Sequence, residues 1–333
     1  MKSKRGQAEQ FNWIFVIISG VIILGFFTMF AFKYIKLQET KQDLQSIRQL
    51  GSTLETLEKL SIGEGERGTS ISSNNPGQGL RFGYNLNLGY SCSESKSSII
   101  INNPQYSSYS SSDSIIFTKE NQQVNKIDLW LLPWSNPFHI TNLIYLSDPD
   151  RNYYLVSDES PKNIQYVKNI YDTFSNVEIF KNLNKIDINR LNSVKLKSTI
   201  IYFTKKQPQI KDSFKMDNTN FVHIDLDKKE ISFYEEEWSN PVNYKNEELM
   251  YGAFFSDNSE QYLCTTNNAM NKFQDTTAIY IEKARMLNQL TRDKGCNYEP
   301  LILLLRKLTN GDYTVLENIK MLNNQGAGCP WLY

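Results

Sequence analysis

The longest apolar run in the chain covers residues 11–32 and contains no charged side chain. A helix over these residues is about 33 Å long, enough to cross a hydrocarbon core of about 30 Å. A secretory signal has a shorter apolar stretch, of about 7–15 residues, followed by a small-x-small cleavage site. A buried core helix would carry more polar positions than Asn12, Ser19 and Thr28. The pattern therefore predicts a transmembrane helix over 11–32, after a leader or cytoplasmic tail at 1–10.

Residues 33–62 are polar and charged, with apolar positions at helical spacing. These positions recur every three or four residues and form one stripe: Leu44, Ile47, Leu50, Leu54 and Leu57. We expect an amphipathic stalk helix that continues the membrane helix. Two interpretations are open: the stripe is a seam for self-association, or the chain's own globular domain covers it. Because Gly51 interrupts the stripe, an autonomous coiled coil is not expected.

Residues 63–79 are predicted to form a linker. The string 63–68 matches G-x-G-x-x-G, but a dinucleotide site needs a strand before the string and a helix after it. A polar helix precedes it here, and Ser, Asn and Pro follow. Two glutamates in the string, Glu64 and Glu66, would repel a pyrophosphate. We therefore expect no cofactor.

Residues 80–260 contain short apolar segments between turn residues, a pattern typical of β-strands. Strands are predicted at 98–102, 114–118, 127–132, 138–146, 153–156, 177–180, 199–203, 221–226 and 231–234, with a last one near 250–255. Between 156 and 177, Ser160, Pro161 and the apolar positions of 164–174 predict a helix, which gives a β-α-β unit with some parallel pairing.

Residues 261–333 show helical periodicity and predict three helices packed on the sheet. The expected fold class is therefore α+β. It consists of the transmembrane helix with its stalk (11–62), a mixed β-sheet domain with a β-α-β unit (80–260) and a C-terminal three-helix unit (261–333).

The charge composition limits the classes of binding partner that we expect. The 36 Lys and Arg residues balance 36 Asp and Glu residues, whereas a nucleic-acid binder normally carries a basic excess. No nucleic acid is expected as a partner. The expected partners are the lipid bilayer and, at the cell surface, the protein itself or other surface proteins. Positive charge on both sides of the apolar run leaves its orientation open.

Four cysteines, Cys92, Cys264, Cys296 and Cys329, are scattered over the predicted domain without C-x-x-C spacing. The chain has two histidines, neither with a ligand at metal spacing, so no metal site is expected. An even number of cysteines beside a membrane anchor indicates two disulfides in an oxidising compartment. The alternative is a cytoplasmic domain with four buried free thiols.

Geometry favours one pairing. Cys264 and Cys296 flank a predicted helix of about 26 residues, roughly 39 Å long, whereas a disulfide needs Cα atoms within about 7 Å. The next two helices are short and should run down and back, which returns Cys329 to Cys296. We therefore predict Cys296–Cys329 and Cys92–Cys264.

A catalytic constellation is not evident. G-x-S-x-G, H-E-x-x-H and the Walker lysine loop are missing from the sequence. His139 is predicted to be a hydrogen-bonded strand residue, and His223 to face outward beside Asp225. Asp148-Pro149-Asp150 and Asp225-Leu226-Asp227 are typical of turns. The acidic run 235–237 with Trp238 is either a solvated face or a binding rim.

The first residues, Lys2-Ser3-Lys4-Arg5-Gly6-Gln7-Ala8-Glu9, lead directly into the apolar helix. This arrangement resembles the leader of archaeal type IV prepilins, in which a peptidase cuts after the glycine and the helix stays on the mature protein. The resemblance implies cleavage between Gly6 and Gln7. Such pilins usually carry a glutamate at the fifth position after the cut, whereas Glu9 is at the third. The layout, including the ending 329–333, also resembles uncharacterised single-span archaeal surface proteins.

These observations predict a single-pass membrane protein with an extracytoplasmic domain and a structural, adhesive or pilin-like role, not an enzyme. The alternative is a membrane-anchored extracytoplasmic ligand-binding or enzymatic α/β domain. In that case the ligand would bind beyond the carboxyl ends of the parallel strands, near residues 157–160.

Overall fold

The computed structural model describes residues 5–59, 69–71, 80–94, 96–102, 108–111, 114–157, 165, 167–168, 177–180, 197–210, 219–323 and 328–333. Its first element is a single helix, α1, which runs unbroken from Arg5–Lys59. The predicted membrane helix and the predicted stalk are therefore one continuous element. Of the linker predicted at 63–79, the structure describes residues 69–71, and these form a short strand of the first sheet instead.

The first β-sheet contains seven strands: β1 (Thr69–Ile71), β2 (Leu80–Ser93), β3 (Lys96–Ile101), β4 (Ser108–Ser111), β5 (Ile115–Phe117), β6 (Asn121–Ser135) and β7 (His139–Ser147). Their order is β4-β3-β2-β6-β7-β5, and β1 pairs with β6. All pairs are antiparallel except β5 with β7. The alternation of buried and exposed residues along β2 is a strand signal that the sequence carries from Leu80 onward.

The second β-sheet contains six strands: β8 (Asn152–Ser157), β9 (Val177–Phe180), β10 (Ser198–Phe203), β11 (Thr219–Asp225), β12 (Glu230–Tyr234) and β13 (Val242–Asn243). Their order is β13-β12-β11-β10-β8-β9, and the four strands β9, β8, β10 and β11 are mutually parallel. The predicted parallel pairing is confirmed. Of the helix predicted between β8 and β9, the structure describes Gln165, Val167 and Lys168, which are helical.

The strand predicted near 250–255 is wrong, because these residues belong to helix α2 (Glu247–Phe255). The Asn246 side chain caps the helix by accepting a hydrogen bond from the Leu249 backbone N–H. Seven consecutive residues from Leu249 to Phe255 are buried. A helix surrounded by other elements is apolar on all sides, so its sequence shows no amphipathic period.

In the described part of the chain after α2 lie three further α-helices: α3 (Ser259–Leu290), α4 (Glu299–Thr309) and α5 (Leu316–Asn323). This confirms the predicted C-terminal helices, although α3 begins two residues before the helical unit predicted at 261–333. The helices pack against both faces of the first sheet. One face of the first sheet packs on the stalk half of α1, and its other face packs on α2 and α3.

The two sheets meet across α2 and the beginning of α3. Phe255 of α2 contacts Trp130 of the first sheet at 4.9 Å between ring centroids and Tyr153 of the second at 5.3 Å. Tyr262 of α3 contacts Phe117 and Phe233 in the same way. Instead of one mixed sheet, the domain therefore has two mixed sheets that share a helical layer.

Candidate functional site: the anchor helix and the domain around its stalk

The apolar half of α1 makes no packing contact with the domain. From Trp13 to Leu37 its large apolar side chains are more than half exposed. Among the described residues, this is the one helix long and apolar enough to cross a membrane. Such a surface is stable in lipid and not in water.

The stalk half of the same helix is covered by the first sheet. Ile47, Leu50, Leu54 and Leu57 are buried in one core cluster with strands β2, β3, β6 and β7, and Leu44 is half-buried. Asn142 of β7 donates a side-chain hydrogen bond to the Leu57 carbonyl at 3.0 Å. The stripe therefore contacts the chain's own domain, the second of the two interpretations. In this arrangement the four buried side chains are not available to another copy.

The interruption at Gly51 has a structural reason. A Cβ atom on Gly51 would lie 2.8 Å from Cδ2 of Tyr109, a residue of β4. The missing side chain lets the aromatic ring approach the helix backbone.

Both predicted disulfides are present. Cys92 of β2 is bonded to Cys264 of α3 with a Cα–Cα distance of 6.0 Å. Cys296, just before α4, is bonded to Cys329 in the C-terminal tail with a Cα–Cα distance of 5.8 Å. The first bond joins the sheet to the helical layer, and the second closes the C-terminal unit.

Gly6 and Gln7 lie in the first turn of α1, in a part of the helix whose side chains are not described. Cleavage between them therefore stays a prediction.

The two histidines occupy different environments. His139 is an exposed residue at the start of β7. Its ring is nevertheless partly shielded from water, and this desolvation, together with the nearby Lys272 charge, lowers its pKa. His223 was expected to face outward, and this is wrong, because it is 5% exposed. Its Nε2 lies 2.9 Å from the Thr204 carbonyl, and its ring meets Trp238 edge-on. Burial lowers the pKa of His223, so a neutral imidazole donating to that carbonyl accounts for the contact.

The predicted turns are confirmed by their hydrogen bonds. Asp148 accepts the backbone N–H of Asp150, and Asp225 accepts those of Asp227 and Lys228. Within the described ranges, no group of three or more His, Cys, Asp or Glu side chains has a geometry suited to a metal ion.

The acidic run forms an exposed turn. Glu235, Glu236 and Glu237 are exposed, and Trp238 folds back on the second sheet and donates its indole N–H to the Pro208 carbonyl at 3.0 Å. Together with Leu263 of α3 these residues line an open cleft. A role of this cleft as a binding rim stays a hypothesis.

A polar cluster around one buried charge, which the sequence did not indicate, joins the two sheets to the helical layer. Lys119 is 2% exposed; its Nζ donates to the Ser256 carbonyl and lies 3.3 Å from Asp257 Oδ1. Asp257 also accepts hydrogen bonds from the Glu120 backbone N–H and from the Asn220 side chain. Burial lowers the pKa of Lys119 to about 8, although the Asp257 carboxylate opposes this shift. Lys119 and Glu120 are more than 100 residues from Asp257, and Asn220 is 37 residues from it. No local pattern could therefore have revealed these contacts.

A second cleft lies where α1 meets the first sheet, just above the apolar half of the helix. Asp43, which is 8% exposed, accepts hydrogen bonds at Oδ1 from the Tyr84 hydroxyl and the Asn102 amide, both at 2.7 Å. Glu39 and Lys36, one turn and two turns before Asp43 on α1, line the same cleft. The Tyr84 hydroxyl is a donor at neutral pH, as in any tyrosine, and burial raises its pKa further.

An exposed apolar helix attached to a domain with two disulfides defines the class: a membrane-anchored or secreted extracellular protein. In comparisons with protein-family models, curated proteins and solved structures, nothing matches the chain.

Proposed function

We propose that this protein is anchored in the membrane by residues 11–32 and displays an extracytoplasmic domain with a structural or adhesive, pilin-like role. One observation carries the proposal. A single unbroken helix is bare and apolar over one half and built into a disulfide-bonded domain over the other. That layout holds a folded domain at a fixed distance from the bilayer.

The prepilin-like leader supports a pilin-type route of export. Gly6 and Gln7 precede the apolar half of α1 directly, as the resemblance requires. The stripe Leu44–Leu57 is covered by the domain, so self-association in this proposal uses the bare apolar half. Those side chains would pack between copies as well as against lipid.

The intact mass of the protein from native membranes tests the topology and the leader together. The protein is alkylated under denaturing conditions without reductant and then weighed. Loss of residues 1–6 with no alkylated cysteine is the expected result. A full-length chain with four alkylated cysteines would overturn both the leader and the extracytoplasmic placement.

A Gly6→Val variant, expressed in the native host, tests the pilin part separately. We expect the variant to keep its leader and to remain a single-pass membrane protein. If the wild-type mature protein is itself unshortened, the pilin-type route is wrong, whereas anchoring is unaffected.

We propose a non-enzymatic role, because both histidines lie in strands and the carboxylates of Asp148 and Asp225 accept hydrogen bonds within turns. The rival proposal, a ligand-binding or enzymatic domain, draws on one observation. At the carboxyl end of β8, the Ser157 hydroxyl is buried and has no hydrogen-bond partner within the described part of the chain. Residues 158–160 lie outside it. A thermal-shift screen against metabolites, with Ser157→Ala as the comparison, would favour this alternative if one compound stabilises the wild type alone.

A further inference from the structure

The cleft between α1 and the first sheet has the size of a small-molecule site. Its volume is about 410 Å³, within the usual range of about 300–1,000 Å³. Helix α1 forms one wall, and strand β2 and the end of β3 form the other. In the described lining every residue is polar, with amides, hydroxyls, two carboxylates and one lysine. Since ligand pockets are normally lined largely by apolar groups, this lining suits a ligand covered with polar groups.

The position of the cleft follows from the geometry of the helix. Lys36 lies four residues and Asp43 eleven residues beyond Phe32, so they stand about 6 Å and about 16 Å above the end of the apolar run. The headgroup layer of a bilayer is about 5–8 Å deep on each side of the hydrocarbon core. In the anchored protein, the mouth of the cleft is therefore at the level of the headgroups, and Asp43 on its floor is about 8–11 Å beyond them.

The floor of the cleft is already ordered. Besides the two bonds to Asp43, the Asn102 side-chain carbonyl accepts the Asn87 backbone N–H at 2.7 Å, and the Asn102 backbone N–H donates to the Asn87 carbonyl at 2.8 Å. Ser46 adds a contact of 3.3 Å to the Tyr84 hydroxyl. Such a network holds its polar groups in place before any ligand arrives, which lowers the entropy cost of binding.

The chemistry of the lining selects among ligands. Glu39 and Asp43 outnumber the single cation Lys36, which disfavours a phosphate. An acyl chain would leave the amides and carboxylates without partners. Sugar hydroxyls both donate and accept hydrogen bonds, and amide side chains such as Asn85 offer both functions, while carboxylates accept from hydroxyls.

We propose that this cleft binds the glycosyl headgroup of a membrane glycolipid through Asp43, Glu39 and the asparagines of the first sheet. The inference rests on the proposed anchoring of α1, because the bilayer brings such a headgroup to the mouth of the cleft. It adds a ligand class to a protein otherwise argued to be structural or adhesive.

The test uses the full-length chain in nanodiscs of phosphatidylcholine that contain a minor fraction of digalactosyldiacylglycerol. Native mass spectrometry then measures which lipids stay bound when the nanodisc is removed. We expect the galactolipid to be enriched over phosphatidylcholine on the wild type. Asp43→Asn should lower that enrichment about tenfold, the effect of losing one strong hydrogen-bond acceptor.

Because Asp43→Asn also changes the floor of the cleft, a second variant is needed. Glu39 is exposed, so Glu39→Gln leaves the domain packing untouched and should still lower the enrichment severalfold. Glu55→Gln is the matched control, since Glu55 is exposed on the same helix outside the cleft, and it should bind like the wild type.

Free digalactosylglycerol, added in excess, distinguishes a lipid from a soluble source of the sugar. If it displaces the galactolipid, the glycosyl chemistry is supported and free glycans can use the same site. Equal retention of galactolipid and phosphatidylcholine, or enrichment that both variants leave unchanged, would overturn the proposal while anchoring stands. A chain that fails to stay in the nanodisc would overturn the anchoring itself.

Discussion

The two halves of α1 have different surroundings although they form one helix. In the first half, the side chain of Leu24 is 68% exposed, and nothing lies within 4 Å of a Cβ placed on Gly20. In the second half, Leu50 is fully buried under the first sheet, and Gly51 has a tyrosine ring against its backbone. An apolar side chain in a helix is thus stabilised either by lipid or by packing against protein, depending on its surroundings. Leucine therefore serves as a membrane-facing residue in the first half and as a core residue in the second.

The largest expected effect comes from placing an arginine in each half. Leu50→Arg should prevent folding of the domain, because an unpaired buried charge costs about 3–5 kcal/mol and the lost leucine packing adds about 2–5 kcal/mol. Leu24→Arg should leave the domain folded but weaken membrane insertion by about 2.5–3.5 kcal/mol. Limited proteolysis reports the fold, and carbonate extraction reports insertion.

The comparison of the two halves fails if both arginine variants lose the protease-resistant domain, or if neither does.

The second prediction concerns the disulfide bond that joins the first sheet to α3. Cys92 and Cys264 are 172 residues apart, whereas Cys296 and Cys329 are 33 residues apart. By chain entropy, removing the first disulfide should cost about 5 kcal/mol and removing the second about 4 kcal/mol. Urea unfolding of the Cys→Ser pairs measures the difference. A larger loss for the Cys296–Cys329 pair would show that loop length does not govern these bonds.

The third prediction contrasts a buried lysine with an exposed one on the stalk. The pKa of Lys119 is lowered to about 8 when folded, whereas an unfolded lysine titrates near about 10.4. Between these values the unfolded chain binds more protons, so stability rises with pH, by roughly 1–2 kcal/mol from pH 8 to pH 9.5. Above that window the buried tyrosines oppose the trend, because burial raises the pKa of Tyr153 and Tyr262 in the folded state.

Lys119→Met should abolish this rise in stability, and Lys36→Met, on the exposed stalk, should retain it. Chemical unfolding at several pH values between 8 and 9.5 measures both variants. An unchanged slope in Lys119→Met would assign the pH dependence to other groups.

The smallest expected effect comes from the two glycines of α1. Gly51→Ala should destabilise the domain by about 1 kcal/mol, since moving the Tyr109 ring outweighs the gain of about 1 kcal/mol in helix propensity. Gly20→Ala should leave the melting temperature of the domain unchanged. In a Tyr109→Ala background, Gly51→Ala should instead stabilise, and continued destabilisation there would exclude the ring as the cause.

The sequence could predict features that depend on a local pattern of residues or on the length of a helix. The uncharged run 11–32, the stripe of residues 44–57, most of the strands and the C-terminal helices follow from period and length. The disulfide pairing followed from two further facts: a straight helix keeps Cys264 and Cys296 too far apart to bond, and two short helices return the chain from Cys296 to Cys329. Residues 250–255 were mistaken for a strand, because a helix buried on all sides has no amphipathic period.

Residue order alone indicated a membrane-length apolar helix, an amphipathic continuation and cysteines suited to two bonds. The packed fold was needed to show that the stripe is covered by the chain's own sheet, that His223 is buried, and that Lys119 contacts Asp257 between the two sheets. The reason is physical. Periodicity shows that a face is apolar but not what covers it, and the partner of a buried charge can lie far away in the sequence. The cleft at Asp43 was likewise not predictable from the sequence, since its walls come from a helix and a sheet about 40 residues apart.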